Sequence, residues 1–372
     1  MKLIITGDLV ISQSYDVSDK IDQDITDLFF HSDCNIVNLE APVTDSKSKI
    51  LKTGPHLKSD KQSTLNIMKK LNVHIAALAN NHIKDYDEEG VLDTINFCEN
   101  NGIKTIGAGA NIKEASETTV LNTLEGKIAI INIAENEWSS ADENAAGANG
   151  MHLIKDIKKI QQAKKENDFV LVIIHGGHEY YNLPSPRMQE QYRFYAEQGA
   201  DLVVGHHTHC VSGYEIYSGT PIYYSLGNFL FTENNLQEDW YIGAILEVDI
   251  VNGKLSTALH PIRQTKKSFE ISLLKNEEKD ATLLRIENYR RVIESEDQLQ
   301  KEWSAFILSK RNSYLSYWSP KVFIKNKYIA AGLNRMKIKL TNTKGLAYHL
   351  NLMRCEAHYD LSRAILDKEL KK

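Results

Sequence analysis

The chain has 372 residues, 42% of them hydrophobic and 25% charged, which is enough apolar material for a real core and excludes a disordered polypeptide. Its four cysteines, Cys34, Cys98, Cys210 and Cys355, stand far apart without a CxxC pair, so neither a disulfide framework nor a cysteine-based zinc site is indicated and a reducing compartment is expected. The formal net charge of -5 is unevenly spread: residues 265–372 carry 22 Lys plus Arg against 13 Asp plus Glu, a net of +9, which leaves -14 on residues 1–264.

The opening "MKLIITGDLVIS" holds an apolar run of about four residues, too short for a signal-peptide core. No later run approaches the ~20 residues of a membrane span, and a cytoplasmic location is expected. Up to about residue 262, short apolar runs alternate with amphipathic segments, the pattern of an α/β core. Strands are expected at 2–6, 35–39, 74–79, 127–133, 169–175, 201–205 and 221–226, most of them buried on both faces. Between them, "DEEGVLDTINFCENNG" spaces Val91, Leu92, Ile95 and Cys98 as a helix, with Asp87 as its N-cap and Gly102 as its stop. Asn252 and Gly253 separate two β-rich runs and predict a hairpin.

Beyond 265 the strand pattern fades and residues 270–372 read as mainly helical, which gives two regions, 1–264 and 265–372. Within the second, no acidic residue occurs from Trp303 to Cys355, while Lys310, Arg311, Lys321, Lys325, Lys327, Arg335, Lys337, Lys339, Lys344 and Arg354 do. They are interleaved with Tyr314, Tyr317, Trp318 and Phe323. This stretch reads first as a solvated helical face whose aromatics pack inward. Its second reading is a surface for an anionic lipid face, peripheral to the membrane, rather than for nucleic acid.

Polar residues stand repeatedly just after an expected strand. Asp8 follows the first, Asn38 and Glu40 end the second, Asn80, Asn81 and His82 follow the third, His175 ends "FVLVIIH", and His206, His207 and His209 follow "DLVV". In α/β sheets, ligands gather at the carboxyl ends of strands, so these residues can converge. Singly, each has an ordinary explanation: Gly-Asp as a turn, Asn80 and Asn81 as helix caps, His175 as a core histidine. Together, carboxylates, imidazoles and one amide form a donor set for two divalent cations, and hydrolysis is the expected reaction type. In an extended loop, His207 and His209 share a face and reach neighbouring cations, while His206 points elsewhere.

The segments "GDLV", "NLEAPVT", "ALANNHIKDYDEEG", "HGGHEY" and "GADLVVGHHTHCVSGYEIYSGTPIYYSLGNFLF" resemble the CapA-type proteins of capsule and poly-gamma-glutamate synthesis, within the calcineurin-like metallophosphoesterases. The resemblance covers residues 1 to about 262. It implies a four-layer αββα sandwich, here with a helical C-terminal extension, and a two-metal centre of Mn, Fe, Zn or Mg between the sheets. By position, Asp8, Glu40 and His209 would hold one metal, and Glu40 as bridge with Asn81, His175 and His207 the other. His82 would be the acid or charge stabiliser, with a pKa near neutrality and its tautomer fixed by Asp85. Glu179 and Asn228 would face the substrate or support the ligands. Most such enzymes begin Asp-x-His, where Asp8, Leu9 and Val10 stand here, so the first metal is expected to bind weakly. The implied function is a metal-dependent hydrolase acting on a phosphorylated substrate or an anionic polymer precursor; the alternative is a non-catalytic scaffold for the polymer-synthesis machinery.

Overall fold

The structure is a computed structural model that describes residues 1–17, 19–52, 54–317, 324–338, 342, 346 and 349. In chain order its strands are β1 (Lys2–Val10), β2 (Cys34–Leu39), β3 (Ile75–Ala77), β4 (Lys104–Ile106), β5 (Ala108–Gly109), β6 (Thr119–Thr123), β7 (Gly126–Ala134), β8 (Gly147–Ala148), β9 (Phe169–His175), β10 (Leu202–His206), β11 (Tyr214–Tyr217), β12 (Thr220–Tyr223), β13 (Asn228–Phe231), β14 (Ile242–Val251), β15 (Lys254–Gln264) and β16 (Ile271–Leu273). Its helices are α1 (Gln23–Phe30), α2 (Lys61–Lys70), α3 (Asp87–Glu99), α4 (Ile112–Ala115), α5 (Leu153–Glu166), α6 (Pro186–Glu197), α7 (Asn276–Glu294), α8 (Glu296–Tyr317) and α9 (Lys327–Arg335).

Among the described residues, an eight-stranded sheet runs β16-β15-β14-β1-β2-β3-β4, with β13 beside the far end of β1, and a six-stranded sheet runs β11-β12-β10-β9-β7-β6. Side-chain alternation along each strand sorts the apolar residues into layers. Leu3 and Ile5 of β1, Ile36 of β2, Ile128 and Ile130 of β7, Leu171 and Ile173 of β9, and Leu202 and Val204 of β10 share one cluster, so the two sheets pack face to face. The intervening residues face outward. Ile4, Val37 and Ala76 meet Ile25, Phe29, Ile67 and Val91 from α1, α2 and α3; Ile131, Val172 and Val203 meet Ile160, Met188, Tyr192 and Tyr195 from α5 and α6. The result is the expected four-layer αββα sandwich.

Several details differ from the sequence reading: β4, β5, β6, β8, β11 and β13 lie outside the expected strands. Helix α3 begins at Asp87 itself, which has φ +59°, and the preceding Tyr86 provides no side-chain cap, so Asp87 lies one position inside the expected boundary. The short strand β16 returns after residue 265 and pairs with β15, because Ile271 still has core to fill beside Tyr15 and Phe269. The hairpin forms as expected, with β14 and β15 joined by Asn252 and Gly253 at φ +52° and +73°.

The chain divides into a compact unit of Met1–Leu299 and a second of Gln300–Lys372. The composition boundary at 264/265 therefore falls inside the first unit, where Ile286 and Ile293 of α7 join the cores. In the second unit, Tyr328, Ile329 and Met336 on and beside α9 are exposed. The side chains of Tyr314 and Tyr317, and the whole of Trp318, Lys321, Phe323, Lys339, Lys344, Arg354 and Cys355, lie outside the described residues. No helix among the described residues is long and apolar enough to cross a membrane.

One irregularity places the site. The register of β1 against β2 shifts between Ile5 and Asp8, where three steps of one strand match two of the other. Such a bulge reverses which side chains face which layer. Before it, Ile4 faces the helices; after it, Leu9 does. Asp8 is thereby turned to the inter-sheet face. The bulge leaves room for no side chain at Gly7, whose Cβ would lie 1.9 Å from the Gly227 carbonyl oxygen. Asp8 N donates to that same oxygen at 3.1 Å. Gly7→Ala is expected to destabilise the fold by about 1–3 kcal/mol, the usual range for forced overpacking; a urea midpoint equal to that of the unaltered protein would contradict this.

Candidate metal centre

The parity that builds the inter-sheet core also builds the site. Continuing the inward-facing residues past the apolar run leads to Asp8 on β1, Asn38 and then Glu40 on and after β2, Asn132 on β7, His175 on β9 and His206 on β10. Two of these fasten the sheets together. His206 Nε2 lies 2.8 Å from the Thr6 carbonyl oxygen, and Asn132 Oδ1 accepts from Ala79 N at 2.9 Å. His206 is thus a strut, turned away from the donors as expected.

His207 and His209 diverge as expected, though not because the loop is extended. Both have left-handed backbones, at φ +90° and +56°, a conformation that is uncommon for residues other than glycine and clusters at functional sites. His207 turns to His175, its Nδ1 3.1 Å from His175 Nε2. His209 turns to the first sheet, its Nδ1 3.3 Å from Asp8 Oδ2 and its Nε2 3.7 Å from Glu40 Oε1. Asn228 Oδ1 stands 3.0 Å from His209 Nδ1, and the rings of Trp240 and Phe231 lie 4.8 Å and 5.6 Å from the His209 ring.

Two donor groups result, Asp8–Glu40–His209 and Glu40–His175–His207, each with its ligand atoms within 4.8 Å of one another. Glu40 belongs to both. Asn81 joins the second, with Oδ1 3.0 Å from His175 Nε2. All six expected ligands are therefore brought together. Asn38, noted at its strand end but not assigned a part, connects the groups: its Nδ2 donates to Asp8 Oδ1 at 2.7 Å and lies 3.2 Å from His175 Nδ1. The period-2 rule would have found it, since it shares a face with Glu40.

The residues fit a bound cation. Asp8 and Glu40 are 0% exposed; neither Glu40 oxygen has a hydrogen-bond partner, and Asp8 Oδ2 has only the 3.3 Å approach of His209 Nδ1. Buried carboxylate oxygens without donors are strongly unfavourable unless a cation compensates them. The position two residues after Asp8 contributes nothing, because Val10 is packed among Ala41, Leu57, Phe231, Trp240 and Tyr241.

In the cation-free protein, protons take up part of this imbalance. Burial, then the charge of Asp8, pushes the Glu40 carboxyl well above its ordinary value. For Asp8 burial acts the same way, but the His209 hydrogen bond and charge outweigh it and hold the group low. Burial opposes charge on His209, yet Glu40 and Asp8 prevail and raise it to about 10. His175 is driven well below the usual histidine range, and His207 down to about 4, by burial and then by a neighbouring imidazole. The second group thus presents neutral nitrogens, while the first retains a proton.

His82 and Asp85 lie beside this centre. His82 Nδ1 is 2.7 Å from Asp85 Oδ2, as expected for a carboxylate that fixes the ring. Burial lowers the His82 pKa despite that bond, below the near-neutral value anticipated. Asn80 is structural: its Oδ1 accepts from His82 N at 3.0 Å and its Nδ2 donates to the Leu39 carbonyl oxygen at 2.9 Å. Glu179 is exposed, and its charge acts on His207 and His209. Three neighbours were not legible in the sequence. Glu137 Oε1 stands 3.8 Å from His207 Nε2, Tyr180 stacks on Trp240 at 6.3 Å, and a buried Lys52 touches both His82 and Asp85. All three sit on loops without periodicity.

The family described as "Bacterial capsule synthesis protein PGA_cap" matches residues 2–233. The chain is 34% identical over 220 residues to the PGA biosynthesis protein CapA of Bacillus subtilis, covering 58% of this chain and 58% of that protein. It is 33% identical over 204 residues to the capsule biosynthesis protein CapA of Bacillus anthracis, covering 53% and 50%. The chain thus aligns with about half the length of each. Solved structures similar to it include a novel phosphatase of Mycoplasma pneumoniae (TM-score 0.45, 14% identity, 72% of this chain and 95% of that one) and a hypothetical protein of Thermus thermophilus (TM-score 0.43, 13% identity, 70% and 99%). The four-layer architecture rests on the strand order and core clusters rather than on these likenesses.

A cation entering the Asp8–Glu40–His209 group must displace the proton that His209 holds up to about 10. Manganese affinity is therefore expected to strengthen as pH rises from 6 to about 10, with proton release visible by calorimetry in buffers of different ionisation enthalpy. Glu40→Gln, which weakens both groups at once, should reduce the affinity by at least ~10–100-fold; pH-independent binding that survives this substitution would contradict the assignment.

Proposed function

The chain belongs to the bacterial capsule synthesis PGA_cap family, and on that premise we propose that it is a metal-dependent, phosphoesterase-like hydrolase serving capsule, surface-polysaccharide or poly-gamma-glutamate synthesis. The observation that carries this reading is Glu40, a fully buried carboxylate with both oxygens unpartnered, placed where two separate histidine groups meet. A purely structural carboxylate would be hydrogen-bonded. Asp8, Glu40 and His209 would hold one divalent cation, and Glu40, Asn81, His175 and His207 a second. When bound, such a pair supplies Lewis acidity and an acidified water for attack on a phosphoryl group.

The remaining work falls to this chain's own side chains. Asn38 holds Asp8 and His175 in fixed relation. Trp240 and Phe231 wall the His209 side against bulk water. His82, held at Nδ1 by Asp85, would present Nε2 to the leaving oxygen and give it a proton from the imidazolium form, since the neutral ring keeps its one proton on Nδ1. The substrate class that suits this arrangement is a phosphorylated or otherwise anionic polymer precursor. The acid-free stretch 303–355 would assist by attraction to an anionic membrane face on the cytoplasmic side.

A second reading, a non-catalytic scaffold for the polymer-synthesis machinery, is favoured by the apolar packing of Val10 where related enzymes place a histidine. Assays of phosphomonoester and phosphodiester substrates with added manganese separate the two. The hydrolase reading expects metal-dependent turnover that falls by about 10²–10⁴-fold in His82→Ala and more steeply in His207→Ala. Manganese binding without turnover on either substrate class would favour the scaffold.

A further inference from the structure

Lys52 lies in the loop between β2 and α2, with its side chain only 3% exposed. A lysine so enclosed requires a partner, and Asp85 supplies it. Its Nζ is ion-paired with Asp85 Oδ1 and stands 3.1 Å from His82 Nδ1. The other carboxylate oxygen, Asp85 Oδ2, receives the Leu57 N–H at 2.7 Å and lies 2.7 Å from His82 Nδ1. Asp85 is itself 0% exposed.

The two oxygens of Asp85 therefore have separate duties. Oδ1 is taken by Lys52, which leaves Oδ2 to the backbone and to the imidazole. A carboxylate held at one oxygen can rotate about its Cβ–Cγ bond; held at both, its plane is set. Because the neutral ring carries its single proton on the nitrogen that has an acceptor in front of it, a fixed Oδ2 keeps the proton on Nδ1 and directs Nε2 to the opposite side. The loop bearing Lys52 is pinned to the same short segment: Ile50 N donates to the Asp85 carbonyl oxygen at 3.3 Å, and Lys58 Nζ sits 3.9 Å above the Tyr86 ring.

We propose that Lys52 is a positioning residue for His82, acting through Asp85 as the outer member of a Lys52–Asp85–His82 chain. It touches neither cation ligands nor substrate. Its contribution is to keep the buried carboxylate correctly turned, so that His82 is aimed before substrate arrives.

The kinetic part of the test rests on the hydrolase reading; the spectroscopic part does not. In full-length protein, proton NMR should show a strongly downfield His82 Nδ1–H resonance, identified by its loss in His82→Gln. This resonance should shift or broaden in Lys52→Met and return in part in Lys52→Arg. With manganese, Lys52→Met should lower kcat by about 10–100-fold, leave KM and manganese affinity within about twofold, and affect an alkyl phosphate more than p-nitrophenyl phosphate. The same substitution in a His82→Ala background should add no further loss, since its effect passes through that ring. An unchanged Nδ1–H resonance in Lys52→Met, or a full additional loss on top of His82→Ala, would overturn the proposal. Should Lys52→Met fail to fold, Lys52→Gln carries the same comparison, and absence of the resonance in the unaltered protein would by itself refute it. If the unaltered protein shows no turnover, the hydrolase reading fails while the resonance still decides the role of Lys52.

Discussion

A carboxylate sealed from water without a hydrogen bond is the constraint around which the first unit is organised. Glu40 sits past the end of β2, beyond the last apolar residue of the inter-sheet core, with His209 on one side and His175 and His207 on the other. Such a group is tolerated only if a positive charge compensates it. In the cation-free protein protons supply part of it: Glu40 is pushed up by burial and by Asp8, His209 is raised to about 10 by Glu40 and Asp8 against the opposing effect of burial, and Asp8 is held low by His209. A divalent cation satisfies the same electrostatic demand without the proton.

The sandwich exists, in this view, to hold that carboxylate still. Two sheets packed through Leu3, Ile36, Leu171 and Val204 give each strand end a fixed position, and inward-facing polar residues then follow from the pleat. Asn132 and His206 bind one sheet to the other just beneath the donors. Where the pleat would aim a side chain wrongly, the backbone departs from regularity: a bulge before Asp8, positive φ at His207, His209 and Tyr180. Each departure is unfavourable by roughly 1–3 kcal/mol for the left-handed residues, and the dense core around them supplies the offset.

The two donor groups are not equivalent. Burial and neighbouring imidazoles disfavour charge on His175 and His207, and the amides of Asn81 and Asn38 adjoin His175. Asp8 and His209 hold each other, and the aromatic wall of Trp240 and Phe231 replaces any further ligand on that side. The asymmetry follows from chemistry around each residue rather than from the number of donors. Beside both groups, the Lys52–Asp85–His82 chain is a second buried electrostatic unit, closed over by a loop with little regular structure.

How much could be read without coordinates depended on whether a signal was periodic. The seven expected buried strands, the hairpin at Asn252–Gly253 and the six residues of the donor groups were legible, because apolar runs ending in a polar residue mark the end of a buried strand and Gly-His-His-Thr-His is chemically conspicuous. Lys52, Glu137 and Tyr180 were not, since nothing in an irregular loop separates a buried lysine from a solvated one. The His207–His209 geometry was anticipated for a wrong reason: alternation in an extended loop, where left-handed turns do the work. By itself, then, the amino-acid order determined which residue types stand at the ends of which strands, since that depends on local hydrophobic period. Only the tertiary structure decided which face Asp8 takes, that Glu40 is left without a donor, and that Lys52 closes behind His82, because each of these depends on what a distant segment places against it.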